Sequence, residues 1–440
     1  MFAAGFGKVC ISPPVGSPLA GYAARKGVSI GIHDDLFVRA LVLDNESTAL
    51  AVVSVEVLAL PSQFVARVRT AIQERTGIPP ECVVIAATHT HAGPVTIRTF
   101  FNPEENVDAA YMNFLAEAIV ECVAAAWRER WPARIGVGAG RVEGIGVNRR
   151  SPDRGPVDEE IGILKVEGLE GHTRVVLIIY GCHPTVLGPN NLLVTGDFPA
   201  FALQRIEEAL SPGGFALFLN GMQGNISTGH SSELSAIGVI TPGRTFERAA
   251  ELGRMLADAT LEALPAIETS EAASLGAVSV RLDLPLKEYP PVDQAAQALR
   301  QAEDRLARLT REKAPIEELR DAMSKHLYAS ITHFYAREVR EFTDGRLPIE
   351  LQGLRINDAA FIAVPAEVFV EIGLRIKQRA PFRTFIIGLA NGYIGYLPNR
   401  ETYAAGGYEV VSAKVAPESE DVLIEAAIEV EKKLFVTAPD

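Results

Sequence analysis

Short apolar runs alternate along the chain with longer segments that carry apolar residues at helical spacing, which is the pattern of an α/β protein. Strands are predicted at 36–43, 49–57, 83–87, 174–180, 215–219, 359–363 and 384–389, and helices at 62–76, 108–131, 197–210 and 421–435. Ser62 and Asp197 are expected to cap their helices, and Glu367 is expected in the first turn of another helix. Because no internal repeat or low-complexity linker interrupts this pattern, we expect one large catalytic domain over 1–440.

A helical hairpin is predicted near 292–340, with a break at Pro315 and charges of alternating sign. Such a charged hairpin usually covers a surface, and this is the preferred interpretation. The alternative is a lid over a functional site.

Composition restricts the class of protein. Of 440 residues, 48% are hydrophobic and 22% are charged, and the formal net charge of −13 comes without a basic run, so nucleic acid is not an expected partner. Four scattered cysteines without C-x-x-C spacing predict neither a disulfide framework nor a structural zinc cluster. No signal peptide and no transmembrane segment of about 20 apolar residues is recognised, so a cytoplasmic protein is expected, or a secreted one if a leader was trimmed.

The most informative segment is CVVIAATHTHAGP, in which a buried strand is followed at once by His89 and His91. Side chains two apart on an extended segment point to the same face, so both imidazoles can reach one site. Imidazole is the commonest zinc ligand. The alternative is a strand end with two histidines that are hydrogen-bonded or exposed.

Other apolar strands also end in loops with reactive side chains, where α/β proteins place their ligands. These side chains are His183, Ser227, Glu367, Tyr393, Tyr396 and Tyr408. Each one alone has a purely structural explanation. Two histidines, a carboxylate and one further oxygen together would make a hydrolytic zinc site with an open position.

The motifs occur in an order that resembles a known family. They are GFGKVCISPP, GYAAR, GIHDDLFVRALVL, ATHTHAGP, NRRSP, CHPT, TGD, GNIS and YLPNRETYAAGGYE, between about Gly5 and Glu409. The chain thereby resembles the neutral, non-lysosomal ceramidases, zinc-dependent amidohydrolases that split N-acylsphingosine into fatty acid and sphingosine. The resemblance implies a core of two mixed β-sheets packed together and flanked by helices, an αββα arrangement.

The resemblance also implies roles for single residues. Zinc would be bound by His89, His183, Glu367 and Tyr396, while His91 would be a catalytic partner that is not a ligand. Tyr408, an arginine that is either Arg149 or Arg150, and Ser227 would face the substrate, and His33 would line the pocket entrance.

Several positions depart from the family pattern. The serine loop has Asn225 where the family has Asp, and Thr228 and Gly229 replace a Pro-Asn pair. Leu-Pro-Asn follows Tyr396, and no C-terminal β-sandwich domain is recognised. The ligand set is intact, so a zinc amidohydrolase of a lipid or small-molecule N-acyl substrate is expected. Ceramide, a smaller amide or an ester, and a catalytically silent binding relative stay open; the sequence predicts no oligomeric state.

Two mechanisms are compatible with these residues. In the preferred one, zinc-activated water attacks the amide, His91 moves protons, and Tyr408 with the arginine stabilises the oxyanion. Ser227 would then orient the substrate. In the other mechanism, Ser227 is itself the nucleophile and forms an acyl-enzyme.

Overall fold

The computed structural model of the chain describes residues 1–101, 107–210 and 212–436. Its strands are β1 (Ala3–Cys10), β2 (Gly31–Ile32), β3 (Phe37–Asp44), β4 (Ala49–Val55), β5 (Val83–Ala87), β6 (Trp131–Arg141), β7 (Val147–Asn148), β8 (Glu160–Gly168), β9 (Thr173–Tyr180), β10 (Leu193–Val194), β11 (Phe215–Asn220), β12 (Ile226–Ser227), β13 (Leu275–Pro285), β14 (Arg346–Ile356), β15 (Ala359–Ala363), β16 (Glu367–Val368), β17 (Arg383–Ile387) and β18 (Tyr396–Leu397). Its α-helices are α1 (Ser62–Thr76), α2 (Ala109–Arg128), α3 (Phe198–Ala209), α4 (Ser232–Ala236), α5 (Phe246–Ala263), α6 (Val292–Arg311), α7 (Ile316–Glu338), α8 (Val370–Arg379), α9 (Arg400–Ala405), α10 (Tyr408–Val411) and α11 (Ser419–Phe435).

Two mixed sheets form the centre of the fold. The larger has the order β11-β9-β8-β6-β1-β3-β4-β5, in which only the β9–β11 and β4–β5 pairs are parallel. The smaller has the order β13-β14-β15-β17, with β15 and β17 parallel.

Strands such as β3 and β4 are buried on both faces, and alternate residues pack in different layers. On β3, Val38 and Val42 belong to an apolar cluster with α1 and α2, whereas Leu41 and Leu43 belong to a cluster that also contains residues of the smaller sheet, such as Phe361. On the other side of the smaller sheet, α11 packs against β13 and β14. The predicted αββα arrangement is confirmed, and the uniform hydrophobicity of the strands follows from it.

Most predicted elements lie within a few residues of the observed ones, with two corrections at helix starts. Ser62 is the first residue of α1 and does not cap it, since Pro61 occupies the N-cap position. Glu367 lies on the two-residue strand β16, which pairs in parallel with β18, and the helix begins only at Val370. Asp197 caps α3 as predicted, with its carboxylate accepting from the amide of Phe198.

Helix α2 corrects the expectation that the chain has no apolar segment of about 20 residues. Among the described residues it is the one helix long and apolar enough to cross a membrane by length and composition, with a mean hydropathy of 1.4. Over half of that window is buried inside the fold, where Leu115, Ile119 and Val123 pack in the cluster with β3 and β4. A buried core helix meets the same length criterion, so α2 is weak support for a membrane span.

The predicted hairpin is confirmed as α6 and α7, with Pro315 at the N-cap of α7.

The two ends of the larger sheet, β11 on one side and β4 with β5 on the other, come close to each other. The Ser54 hydroxyl on β4 donates to the carbonyl of Phe218 on β11, at 2.6 Å. At the end of β11, the Asn220 amide donates to the carbonyls of Thr88 and Cys182, at 3.0 and 3.2 Å. The loops that follow β5 and β9 are thereby held together, although they are far apart in sequence.

Candidate metal centre and active site

Backbone carbonyls orient the two histidines that follow β5 and β9. The Nδ1 atom of His89 lies 2.7 Å from the carbonyl oxygen of Leu58, and Nδ1 of His183 lies 2.7 Å from that of Gln223. A carbonyl only accepts, so each Nδ1 carries the proton and each Nε2 is left as a bare acceptor. Metal-binding histidines usually have this arrangement. His89 also adopts a φ of 73°, which is uncommon for a residue with a side chain and is typical of functional sites.

The Glu367 carboxylate lies between these two imidazoles. Its Oε2 atom is 2.9 Å from Nε2 of His183 and 3.4 Å from Nε2 of His89, and its Oε1 atom accepts a 2.6 Å hydrogen bond from Tyr393. All of these side chains are buried or nearly so. Because β16 and β18 pair with Glu367 opposite Tyr396, the tyrosine is brought beside the same group. The His183 and Tyr396 rings lie 6.4 Å apart and nearly parallel.

His91 is the third imidazole of the cluster. Its ring centroid is 4.8 Å from that of His89 and 5.9 Å from that of His183, and one nitrogen from each of the three rings lies within 4.8 Å of the other two. Both of its ring nitrogens are buried without a hydrogen-bond partner among the described residues. Gly21 lets the chain pass this ring, because a Cβ there would lie 2.5 Å from Cβ of His91 and its φ of +100° favours glycine.

The two arginines have separate roles. Arg149 is buried and its Nη2 donates to the Tyr396 hydroxyl at 3.1 Å and to the Gly224 carbonyl at 2.8 Å. Arg150 instead bonds to the carboxylate of Glu409 and the carbonyl of Gly406. The structure therefore brings Arg149, and not Arg150, next to Tyr396.

Glu409 holds this arginine pair in place. It accepts from Nε of Arg149 at 2.8 Å, from Nη1 of Arg150 at 2.7 Å and from the Ser232 hydroxyl at 2.7 Å, and only 2% of its side chain is exposed. Its neighbour Tyr408 contributes a ring 6.0 Å from that of Tyr396.

Burial and charge shift the pKa values of these groups. Burial would raise the pKa of Glu367, but its interactions with the His89 and His183 imidazoles outweigh burial and hold that pKa well below its ordinary value. Burial lowers the pKa of His183 to about 4, with the Arg149 charge acting in the same direction. An anionic carboxylate beside a neutral His183 imidazole is a protonation state that binds a metal cation.

The side chains of two predicted site residues do not line the cavity described below, although Ser227 lies beside His183 through a backbone bridge. The His33 ring stacks on Phe246 at 3.8 Å and its Nδ1 bonds to Asp34, and it is not in the wall of the cavity described below. The Ser227 hydroxyl donates to the carbonyl of His230 at 2.8 Å, and Ser227 likewise does not line that cavity.

Sequence reasoning assigned no role to several residues that support the site. Tyr393 donates to Glu367, Glu409 holds the arginines, and Arg25 donates to the His91 carbonyl at 2.7 Å. Arg25 and Glu409 do fall inside the motifs GYAAR and GGYE, but nothing in those motifs marks which residue they contact.

Part of the cluster lies in the wall of a cavity of about 500 Å³, which we call the histidine cavity. His89, His91, Glu367, Tyr396 and Tyr408 form one part of its wall. Another part comes from α7, through Phe334, Tyr335 and Glu338. The hairpin is therefore part of the site and more than the surface cover favoured by its sequence.

The arrangement of donors suits a divalent metal ion such as zinc. The Nε2 atom of His89 is buried with no hydrogen-bond partner among the described residues, and it faces the same carboxylate oxygen as His183 does. Two imidazole nitrogens with a carboxylate, and a phenol oxygen beside them, are a donor set that zinc accepts. A His/Glu cluster that can hold a metal ion is thus present.

Fold and site together define an α/β protein with a metal-type histidine–carboxylate centre in a deep cavity. The family model described as "Neutral/alkaline non-lysosomal ceramidase, N-terminal" matches residues 2–217. The first half of the chain therefore carries the N-terminal domain of the neutral/alkaline non-lysosomal ceramidase family.

Several curated proteins and solved structures are similar to the chain. It is 25% identical to neutral ceramidase A of Dictyostelium discoideum, over 43% of this chain but only 29% of that protein. It is 24% identical to the neutral ceramidases of Drosophila melanogaster and Pseudomonas aeruginosa, over 96% and 91% of this chain and 73% and 67% of those proteins. The crystal structure of the Pseudomonas enzyme covers the whole chain and 76% of its own length, with a TM-score of 0.72 at 20% identity. A structure described as ceramidase complexed with C2 gives 0.73 at 19% identity. These structures confirm the fold.

Proposed function

We propose that the chain is a zinc-dependent hydrolase of N-acyl amide bonds, with ceramide-like N-acyl amphiphiles as its substrate class. The observation that carries the proposal is the pair of imidazoles whose Nδ1 atoms are held by the carbonyls of Leu58 and Gln223, so that both Nε2 atoms face Glu367 at one end of a cavity. The family match and the names of the relatives support the amide as the bond that is cleaved.

The ligands in this proposal are His89, His183, Glu367 and Tyr396. A zinc ion bound there would polarise a substrate carbonyl and acidify a water molecule. Tyr393 keeps the carboxylate oriented through its hydrogen bond to Oε1, which is the kind of outer contact that maintains ligand geometry.

The remaining residues act on protons and on the substrate. His91 lines the cavity with two unpartnered ring nitrogens, so it is placed to accept a proton and return it to the leaving amine. Arg149 and Tyr408 carry the donors assigned to the carbonyl oxygen as it gains negative charge. The Ser227 hydroxyl donates its hydrogen bond to the carbonyl of His230, which favours attack by water over an acyl-enzyme.

A second substrate class has support from the cavity wall. Gln63, Glu341 and Lys414 line the histidine cavity together with its aromatic residues. These polar groups, and the altered serine loop, favour a smaller or more soluble N-acyl amide, or an ester, as the alternative. The cytoplasmic location and the single-domain organisation stay predictions.

The decisive experiment measures zinc content and hydrolysis on the same preparations. Elemental analysis should give one zinc per chain, and mass spectrometry should detect cleavage of ceramides or shorter N-acyl amides. His183→Ala should lose metal and activity together, whereas His33→Ala, remote from the centre, should keep both. Ser227→Ala should stay active if water is the nucleophile. An active His183→Ala protein with full metal content would contradict the ligand assignment.

A further inference from the structure

Lys414 lies in the wall of the histidine cavity, on the extended segment that follows α10. Two backbone bridges hold this segment, because Ala413 pairs with Gly395 and Val415 pairs with Leu286. The side chains of Ala413 and Val415 are buried in apolar clusters. Since successive side chains on an extended segment point to opposite faces, the backbone directs the Lys414 side chain away from both clusters and into the cavity.

This segment is connected directly to the residues of the candidate metal centre. Gly395 precedes Tyr396 in the chain, and its carbonyl accepts from the amide of Glu367 at 3.0 Å. The Nζ atom of Lys414 lies over the Tyr335 ring, 5.4 Å from its centroid. The hydroxyl of Tyr335 in turn lies 3.5 Å from the place that a Cβ of Gly395 would take. Lys414 is therefore fixed in position relative to Glu367 and Tyr396.

The Lys414 ammonium has no anionic partner within the fold. Among the described residues, no carboxylate lies within 4.0 Å of its Nζ and no group accepts a hydrogen bond from it, which leaves the Tyr335 ring as its cation–π contact. By contrast, Nζ of the neighbouring Lys287 donates to the carbonyl of Val410 at 2.7 Å. Burial lowers the pKa of Lys414, and the charge of Glu338 opposes this only in part. An anion in the cavity would therefore supply the partner that the fold does not.

The other charges of the cavity wall lie nearer to solvent. Glu341 is exposed, and the side chain of Glu338 is 39% exposed and faces Nη2 of Arg98 at 3.9 Å. Solvent and salt screen such exposed charges, so their repulsion of an anion is weak. Glu367 is buried, and the histidines contact it. Lys414 is half-buried, so its charge is screened less than those at the rim.

We propose that Lys414 binds a carboxylate of the substrate, so that the amide cleaved at the histidine centre belongs to an anionic N-acyl compound such as an N-acyl amino acid. The inference rests on the proposed function and narrows its substrate class. A neutral substrate that fills the cavity would leave the ammonium desolvated and unpaired, which is unfavourable. One ammonium matches a singly charged group, whereas the second charge of a phosphate would have no partner there. A hydrogen bond to a charged group typically raises affinity by about tenfold or more.

Substitutions of Lys414 separate its charge from its bulk. Lys414→Met removes the ammonium and keeps an unbranched chain of similar length, and no ion pair or hydrogen bond of the fold is lost with it. Lys414→Arg keeps the positive charge, and Lys414→Glu reverses it. Lys432→Met is the matched control, because Lys432 is exposed on α11 and does not line the histidine cavity.

The experiment compares kcat/KM on amides that differ in where a carboxylate lies. N-octanoyl-glycine carries it on the amine half, the mono-ethylamide of octanedioic acid carries it on the acyl half, and N-octanoyl-glycinamide is neutral. The wild type should prefer one carboxylate amide over the neutral one by about tenfold or more, and the preferred amide identifies the half that reaches Lys414. Lys414→Met should lose this preference, while Lys414→Arg and Lys432→Met should keep it. Lys414→Glu should instead prefer the cationic N-octanoyl-ethylenediamine, a reversal that a purely structural lysine would not produce.

A binding measurement separates failure of this inference from failure of the proposed function. If the wild type hydrolyses none of these amides, the proposed function fails for them, and calorimetric titration with the intact amides tests Lys414 alone. Binding of a carboxylate amide that weakens about tenfold in Lys414→Met would then support the inference. If Lys414→Met does not fold, Lys414→Glu decides in its place. Equal treatment of neutral and anionic amides by the wild type, a preference that survives loss of the charge, or no binding to the wild type would overturn the inference.

Discussion

Removing the Glu409 carboxylate is expected to weaken both the fold and the site. Glu409 is the shared acceptor for Arg149 and Arg150 and also accepts from Ser232. In Glu409→Ala, the guanidinium of Arg149, whose side chain is only 5% exposed, would stay buried without its carboxylate. Breaking a buried pair in this way typically costs 3–5 kcal/mol, because the remaining charge is left uncompensated.

The effect on activity follows from the position of Arg149. Its Nη2 reaches the Tyr396 hydroxyl, and Glu409 fixes the same guanidinium from the side of Nε. A displacement of about 1 Å at a catalytic donor can cost about 100-fold in rate. Glu409→Gln keeps an acceptor of similar shape, so we expect a smaller loss of kcat than in Glu409→Ala.

Urea unfolding and steady-state kinetics measure the two effects on the same proteins. Glu401→Ala is the matched control, because Glu401 pairs with Arg375 at 3.0 Å but 64% of its side chain is exposed. An exposed pair contributes about 1 kcal/mol or less. The reasoning is refuted if Glu409→Ala unfolds within about 1 kcal/mol of the wild type, or no more easily than Glu401→Ala.

The pH dependence of the free energy of unfolding is an independent check on the role of Glu409. Burial would raise the pKa of Glu409, but Arg149, Ser232 and Arg150 outweigh it, so the pKa lies below the ordinary value of 4.5. A carboxyl with a lowered pKa stabilises the fold above its unfolded pKa, and this stabilisation is lost as the pH falls through the folded value. The stability difference between the wild type and Glu409→Gln should therefore narrow below about pH 4.5, as followed by urea unfolding across pH.

Three further changes have defined outcomes. His91→Ala should keep its zinc in elemental analysis but lose about 10²–10⁴ in kcat, and an emptied site would instead make His91 a ligand. Tyr393→Phe removes the hydrogen bond to Glu367, so zinc affinity measured by chelator competition should fall about 10–100-fold, and an unchanged affinity would deny this contact a role. Burial raises the pKa of Glu431 to about 7, so its ionisation destabilises the fold as the pH rises from 4.5 through 7. Glu431→Gln should therefore gain about 2 kcal/mol or less over the wild type between pH 5 and pH 8 in urea unfolding. A gain that does not change with pH would rule out this ionisation.

Much of the fold was predictable from local pattern. The bounds of α1 and of the strands Val83–Ala87 and Ala359–Ala363 were predicted as they occur, because a continuous apolar run marks a buried strand and Gly77 marks the end of α1. Glu367 was placed wrongly in a helix, since a two-residue strand that exists only by pairing with β18 has no pattern of its own. The family resemblance was confirmed, and with it the arrangement of two mixed sheets.

The candidate site was predictable as a set of residues but not as a set of contacts. His89, His183, Glu367 and Tyr396 do come together, although their metal-binding roles stay predictions. The choice between Arg149 and Arg150 was open in sequence, because neighbouring residues in a loop carry no periodicity that separates them. The contact of Arg149 with Tyr396, more than two hundred positions away, distinguishes the two arginines, because Glu409 accepts from both.

The sequence by itself determined several of the buried strands and long helices, and which loops carry the imidazoles, the carboxylate and the tyrosines. These properties depend on neighbours along the chain. The tertiary structure decided which loops meet, because the approach of the two sheet edges and the β16–β18 pairing are contacts between distant segments. It also decided that the Ser227 hydroxyl is bound to a carbonyl and that α7 lines the histidine cavity, since the direction of a side chain depends on what packs against it.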